Sequence, residues 1–317
     1  MTSRIPNLFH FVFGLKPQTR PFHLIHYLAL ESCLRVNRPD RLLFHYHHEP
    51  WGEYWELIRE RITPIRIRRP KIRLRYSDPR VEAYSYAHES DFVRLDVLLR
   101  HGGVYADIDT IFVNPISPNL FQQPFVLGRE DDICCQKTGI TCKSVCNALI
   151  MAQPQAEFGA MWRDRMEATF DGSWSRHSTI LPSELADAYP SLVHIEPPHT
   201  FYPFMWTRED LRRLLDGRET VDDTVASIHL WAHLWWSRSR LDFSDIHAGQ
   251  FTESSIRGGE NTFSLLARPF LPDMPRSPRP STHLLADIAG WGLGWMQEAL
   301  VRGRRRILSG SRQGNLS

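Results

Sequence analysis

Cysteine is scarce and odd in number, with five among 317 residues, at Cys33, Cys134, Cys135, Cys142 and Cys146. The first residues carry no apolar signal-peptide core, and together these absences predict free thiols rather than a disulfide framework. Four of the five fall between Cys134 and Cys146, which leaves a small zinc site as an alternative, although Cys-Cys-x6-Cys-x3-Cys is not a standard ligand spacing. Long apolar runs are missing too. No stretch approaches the roughly eighteen residues that span a bilayer, so a cytoplasmic chain is expected. Net charge is nearly absent, at +2 from 38 basic and 36 acidic residues spread along the chain, and no global field selects nucleic acid. One basic cluster lies between Arg59 and Arg80. Within it Ile65-Arg66-Ile67-Arg68 and Ile72-Arg73-Leu74-Arg75 alternate with period two, which predicts half-buried strands with a solvated basic face. Apolar residues, at 42%, and ten tryptophans are ample for the core of one large or two small domains.

The stretch Ala87 to Pro115 organises the chain. Phe92, Leu95 and Leu99 recur at helical spacing and predict one buried face, while Asp91 and Arg94 lie close together on another. Gly102 and Gly103 supply positive-φ positions that end the helix. Val104-Tyr105-Ala106 then suit a short buried strand that delivers Asp107 and Asp109 to its C-terminal end, the place where open α/β sheets bind ligands. Two carboxylates so placed can jointly hold a divalent cation, with substrate phosphates among its other ligands. An Asp-x-Asp alone means little, since about one is expected by chance in a chain this long; the whole block is far more specific.

The block S-D-x-x-R, then G-G-V-Y-x-D-x-D, then an apolar run ending in Asn-Pro, resembles the sugar-binding DXD region of glycosyltransferase family 32. That family includes yeast-type mannosyltransferases, lactosylceramide α-galactosyltransferases and bacterial capsule enzymes, and clostridial glucosylating toxins share its core. The resemblance implies an α/β fold of the GT-A type: a Rossmann-like, mainly parallel mixed sheet covered by helices, with extra helices on the acceptor side. It also implies a UDP- or GDP-sugar donor, a glycan or lipid-linked acceptor, Mn2+ or Mg2+, and retention of anomeric configuration. In its terms Asp109 and Asp107 hold the metal, and Asp107 also meets ribose or sugar hydroxyls. Asp91 and Arg94 grip the donor sugar beside Ser90, and Tyr105 lines the pocket. Golgi members carry an N-terminal anchor that the first residues here lack, so a cytoplasmic enzyme of bacterial type is expected.

Flanking pieces extend the resemblance. Ile5 to Phe13 reads as a buried first strand and is similar to the family's opening segment, whose end meets the nucleotide base; Phe11 or Phe13 would stack on that base, or simply fill the core. Pro21 to Val36 reads as a helix, Leu42 to His48 as a second strand, and Trp51 to Arg61 as a helix. His45 and His47 share a face beside His48 and Glu49, where hydrogen bonding is favoured over metal binding. After the acidic block, Pro124 to Gly128 and Val145 to Met151 read as strands, and Glu157 to Phe170 and Pro182 to Tyr189 as helices. Asn147 matches an Asn that precedes an apolar strand in the family, where it would bond a donor hydroxyl or phosphate oxygen; the alternative is an Asn fixing a strand edge. In Val225 to Trp236 an apolar strand ends in His-x-Trp, similar to the family's late A-V-H-x-W segment. That likeness makes His229 the third metal ligand and puts Trp231 in the donor pocket, with His233 a weaker candidate.

The domain expectation is a catalytic unit over 1–268, a Pro-rich linker over 269–282 and a tail over 283–317. The tail carries Trp291, Trp295 and Met296 ahead of Arg302, Arg304, Arg305 and Arg306, which suits either peripheral contact with an anionic membrane or packing on protein. Two rival functions stand beside glycosyl transfer. A haloacid-dehalogenase-like phosphohydrolase also uses an Asp-x-Asp after a strand, but that motif sits near the domain start and is followed by Thr or Val where Ile111 stands here. A non-catalytic sugar-nucleotide-binding or membrane-adaptor module would keep the fold without the chemistry.

Overall fold

The computed structural model describes residues 4–76, 79–134, 139–232 and 251–273. In chain order the strands are β1 (Leu8–Phe13), β2 (Arg41–Tyr46), β3 (Thr63–Arg66), β4 (Gly103–Ala106), β5 (Thr110–Phe112), β6 (Phe125–Arg129), β7 (Ile133–Cys134), β8 (Thr141–Cys142), β9 (Val145–Ala152), β10 (His194–Glu196) and β11 (Ser227–His229). The helices that matter here are α1 (Leu24–Asn37), α2 (Glu53–Ile58), α3 (Pro79–Glu82), α4 (Ser85–His101), α5 (Glu157–Thr169) and α6 (Leu181–Ala188).

Seven strands form one mixed sheet in the order β10-β6-β9-β4-β1-β2-β3. The run β4-β1-β2-β3 is parallel, β10 is parallel to β6, and β9 runs antiparallel to both β4 and β6. The expected mainly parallel α/β sheet is thus observed, with one reversed strand inside it. Helices cover both faces, because strands such as β4 are buried on both sides and alternate with amphipathic segments. On one face α1 packs Leu24, Ile25 and Leu28 against Phe9, Phe11 and Phe44. On the other, α4 and α5 pack Phe92, Leu95 and Trp162 against Tyr105, Phe125 and Ile150. Each large apolar side chain so enclosed contributes about 1.5–3 kcal/mol.

The glycine stop works as the sequence predicts. Gly102 N–H caps α4 on Leu98 O at 2.7 Å, and Gly102 and Gly103 have φ of 65° and 111°. Gly103 is also needed for space, since a Cβ there would stand 2.4 Å from Leu8 O on the neighbouring strand. The chain can therefore turn from α4 directly into the central strand and release Asp107 at its far end.

Several expectations change. Ile65 lies in β3, and Ile67 N–H continues its pairing on Tyr46 O at 2.7 Å, but Ile72 to Arg75 forms no strand, β3 being the edge of the sheet. The alternation survives as packing, with Ile67, Ile72 and Leu74 half-buried against the α4–α5 core and the basic residues outside. His10 of β1, His45 of β2 and His47 just beyond β2 hydrogen-bond within the fold. His10 Nε2–H donates to Gly102 O at 2.9 Å, so His10 Nδ1 accepts from His45 Nε2–H at 3.0 Å, and His47 Nδ1–H donates to Ile67 O. Burial holds His10 and His45 neutral, with pKa values down at about 4 and about 3. Cys33, Cys134, Cys142 and Cys146 are free thiols, and Cys146 is enclosed in the core rather than grouped with the β7–β8 hairpin that carries Cys134 and Cys142. Cys135 lies outside the described residues. Phe270 and Leu271 are buried in the main core. The remaining linker, the tail over 283–317 and His233 lie outside the described residues. Among those residues no helix is long and apolar enough to cross a membrane.

Candidate active site

The central strand β4 ends at Ala106, and a tight turn follows, closed by Thr110 N–H donating to Asp107 O at 3.0 Å. Asp107 N–H is held by Ala148 O of β9 at 2.8 Å. Beyond the turn β5 pairs antiparallel with β11 in the register Thr110↔His229, which carries His229 back over the acidic turn. His229 Nε2 lies 3.0 Å from Asp109 Oδ1 and 3.8 Å from Asp107 Oδ2. The second oxygen of Asp109 accepts from Ala232 N–H at 2.7 Å. Potential ligand atoms from Asp107, Asp109 and His229 all lie within 4.8 Å of one another, and no other such group occurs among the described residues.

This set fits a hard divalent cation. Two carboxylates and one imidazole converge from three directions, and the side chain of Asp107, 23% exposed, opens one flank to solvent. Burial raises the Asp107 carboxyl against the pull of Arg94 and His229. Burial lowers the His229 imidazole, but the Asp109 charge and hydrogen bond, with Asp107 behind them, outweigh it and raise the group overall. Oxygen-rich donors with one imidazole and an open flank suit Mg2+ or Mn2+.

A second cluster supports the first from below. Arg94 Nη2 lies 3.0 Å from Asp91 Oδ1 and 3.3 Å from Asp107 Oδ1, while Arg94 Nη1 donates to Asn147 O at 2.5 Å. Asn147 Nδ2 donates to Asp91 Oδ1 at 2.8 Å. Tyr105 Oη–H donates to Asp107 Oδ1 at 2.6 Å, with Ser90 Oγ 3.4 Å from the same hydroxyl. Burial pulls on both charges, yet Arg94 and His177 hold the Asp91 carboxyl below its ordinary value. The i,i+3 pair expected on α4 is therefore present, and its charges are spent within the protein.

The roles expected for individual residues divide accordingly. Asp107, Asp109 and His229 come together, and Asp91, Arg94, Ser90, Tyr105 and Asn147 lie against them. Of the two readings of Phe11 the structure favours the core one, since its ring has no exposed surface. Phe13, half-buried and packed on Phe22 and His26, keeps part of its surface open. Trp231 is 4% exposed, donates from Nε1 to Phe204 O at 3.0 Å, and meets the His229 ring edge-on at a centroid distance of 4.3 Å, so its ring is covered by protein. Tyr105, 1% exposed, sits beneath the site and orients Asp107. His177 was not foreseen; its Nε2 lies 2.8 Å from Asp91 Oδ2, and no local motif marks it.

Two aspartates and a histidine thus meet on an acidic turn at the C-terminal edge of a mixed α/β sheet, and sequence comparison gives that site its class. Residues 48–126 match the family described as a glycosyltransferase sugar-binding region containing a DXD motif. Glucan organizing enzyme 1 of Cryptococcus neoformans var. grubii serotype A (strain H99) is 31% identical over 275 residues, covering 84% of this chain and 71% of that protein. Among solved structures, PaToxG Glycosyltransferase aligns with a TM-score of 0.41 at 16% identity, covering 59% of this chain and 71% of that one. The chain belongs to the DXD glycosyltransferase family, and it is a glycosyltransferase. The phosphohydrolase reading falls with this, as its motif would follow a first strand, whereas Asp107 follows the fourth.

Proposed function

We propose that this enzyme is a metal-dependent, retaining hexosyltransferase of the GT-A type, moving a hexose from a UDP- or GDP-sugar to a glycan or lipid-linked acceptor. The observation that carries it is the convergence of Asp107, Asp109 and His229 at the end of the central strand. Departure of a nucleoside diphosphate from the anomeric carbon builds negative charge on the leaving oxygens. A divalent cation, held by Asp109 with Asp107 and His229, would neutralise that charge.

The chain's own residues supply the rest by positioning. Arg94 neutralises Asp91 and tethers Asp107, so the acidic turn is preset before substrate arrives. Ser90 and Asn147, both half-buried beside Asp107, offer hydroxyl and amide groups to donor hydroxyls, and Phe13 offers a partial ring face to the base. A front-face route, in which the leaving phosphate takes the acceptor proton, supports retention with these residues alone. The cytoplasm and its lipid-linked intermediates are the proposed setting. The test is a panel of UDP- and GDP-sugars with Mn2+, followed by proton NMR of the released or transferred sugar. Metal-dependent turnover with the donor's anomeric configuration kept is expected; an inverted product overturns the retaining assignment, and no turnover of any donor overturns the function.

A further inference from the structure

His177 lies on a five-residue π-helical turn, Arg176–Ile180, between α5 and α6. Such turns are irregular and often mark functional positions. Its backbone is pinned by Trp162 Nε1–H, which donates to His177 O at 2.9 Å. Its ring has no exposed surface and is enclosed by Phe170, His88 and Phe92, with centroids at 5.0, 5.2 and 6.2 Å. That enclosure bars it from touching a substrate. Its Nε2–H donates to Asp91 Oδ2 at 2.8 Å, and among the described residues the buried Nδ1 has no hydrogen-bond partner.

Asp91 in turn receives Asn147 Nδ2 and Arg94 Nη2 on its other oxygen, and the same Arg94 nitrogen reaches Asp107. A chain of contacts therefore runs from the π-turn through Asp91 and Arg94 to the first aspartate of the acidic turn. We propose that His177 is a positioning residue for the transfer reaction, fixing Asp91 so that Arg94 divides its charge between Asp91 and Asp107. The inference rests on the metal-dependent reading above. Without the His177 donor, Asp91 Oδ2 is a buried acceptor with no partner, which is costly, and the carboxyl is driven toward its neutral form. Arg94 then pairs wholly with Asp107 and competes with a cation for that carboxylate. The family match, which ends at residue 126, does not reach this histidine.

The experiment compares full-length wild type with His177→Phe, which keeps an aromatic ring, and His177→Gln, whose amide can replace the Nε2 donor. Three quantities are read: affinity for Mn2+ alone, kcat and KM on the donor found for wild type, and the thermal midpoint. The Phe variant should lose about 10-fold in Mn2+ affinity or kcat, the lower end of the range for groups bonded directly to a metal ligand, since His177 acts through two intervening residues. The Gln variant should recover most of that loss. A folded Phe variant with unchanged Mn2+ affinity and kcat overturns the proposal, as does a Gln variant no better than Phe. If wild type binds no Mn2+ and turns over no donor, the proposed function fails on its own account. The His177 contact is then decided by melting, where Phe must lower the midpoint and Gln must restore it.

Discussion

His229 Nε2 stands 3.0 Å from Asp109 Oδ1, although 120 residues separate them in the chain. The antiparallel pairing of β11 with β5 makes this contact, and Trp231 against the imidazole fixes its angle. Asp109 is thus held on one oxygen by a ligand-type nitrogen and on the other by a backbone N–H. That arrangement keeps a carboxylate ordered before any cation arrives.

Arg94 is the counter-charge for two buried carboxylates, and its removal should be felt throughout the fold. Arg94→Met is expected to lower unfolding free energy by about 3–5 kcal/mol, because Asp91 and Asp107 lose their partner. Arg94→Lys should recover little, since one ammonium cannot reproduce the planar fork that reaches Asp91, Asp107 and Asn147 O. Urea unfolding measures both; a Met variant as stable as wild type contradicts the network.

Glu130 gives a pH signature. Its buried carboxyl accepts from Ser144 Oγ–H, and burial pushes its pKa up from 4.5 to about 7. The folded protein therefore keeps a proton that the unfolded chain has released. This group's contribution is fully present below 4.5 and is lost as pH rises through about 7. The total is on the order of 3 kcal/mol. Glu130→Gln should remove that dependence, so wild type melts progressively lower relative to the Gln variant as pH rises from about 5 to about 8. Parallel curves across that range contradict the assignment.

Gly103→Ala tests the turn that feeds the central strand. The new Cβ meets Leu8 O at 2.4 Å with φ at 111°, so strain and clash act together. A loss on the order of 3 kcal/mol is expected in thermal unfolding. A variant melting with wild type would mean that β4 and β1 part more easily than their register implies.

Features written in local pattern were legible from the sequence. α4, its glycine stop, β4 and the acidic turn follow one another over a single stretch, and each has a periodicity or a conformational requirement of its own. His229 was reachable because its strand ends in a distinctive His-x-Trp. Residue type left Phe11 open between base and core and did not reveal that Trp231 is covered, because it does not say what packs over a side chain; α1 encloses Phe11, and Phe204 O captures Trp231. Ile72 to Arg75 shows the same limit, since alternation reports burial on one side but not whether a neighbouring strand exists. His177 and Glu130 were invisible for a further reason. Their partners, Asp91 and Ser144, come from other elements, and a π-turn and a strand end carry no spacing that announces them.

Asp109 is the central ligand of the proposed site, so the most direct measurement is release of nucleoside diphosphate from the UDP- and GDP-sugar panel by wild type and Asp109→Asn, with and without Mn2+. Circular dichroism and melting should show both proteins folded. Mn2+-dependent turnover by wild type is expected, with turnover lowered by about two or more powers of ten in the variant, as loss of a principal charge-stabilising group implies. An Asp109→Asn protein that turns over donor at the wild-type rate in Mn2+ would contradict it.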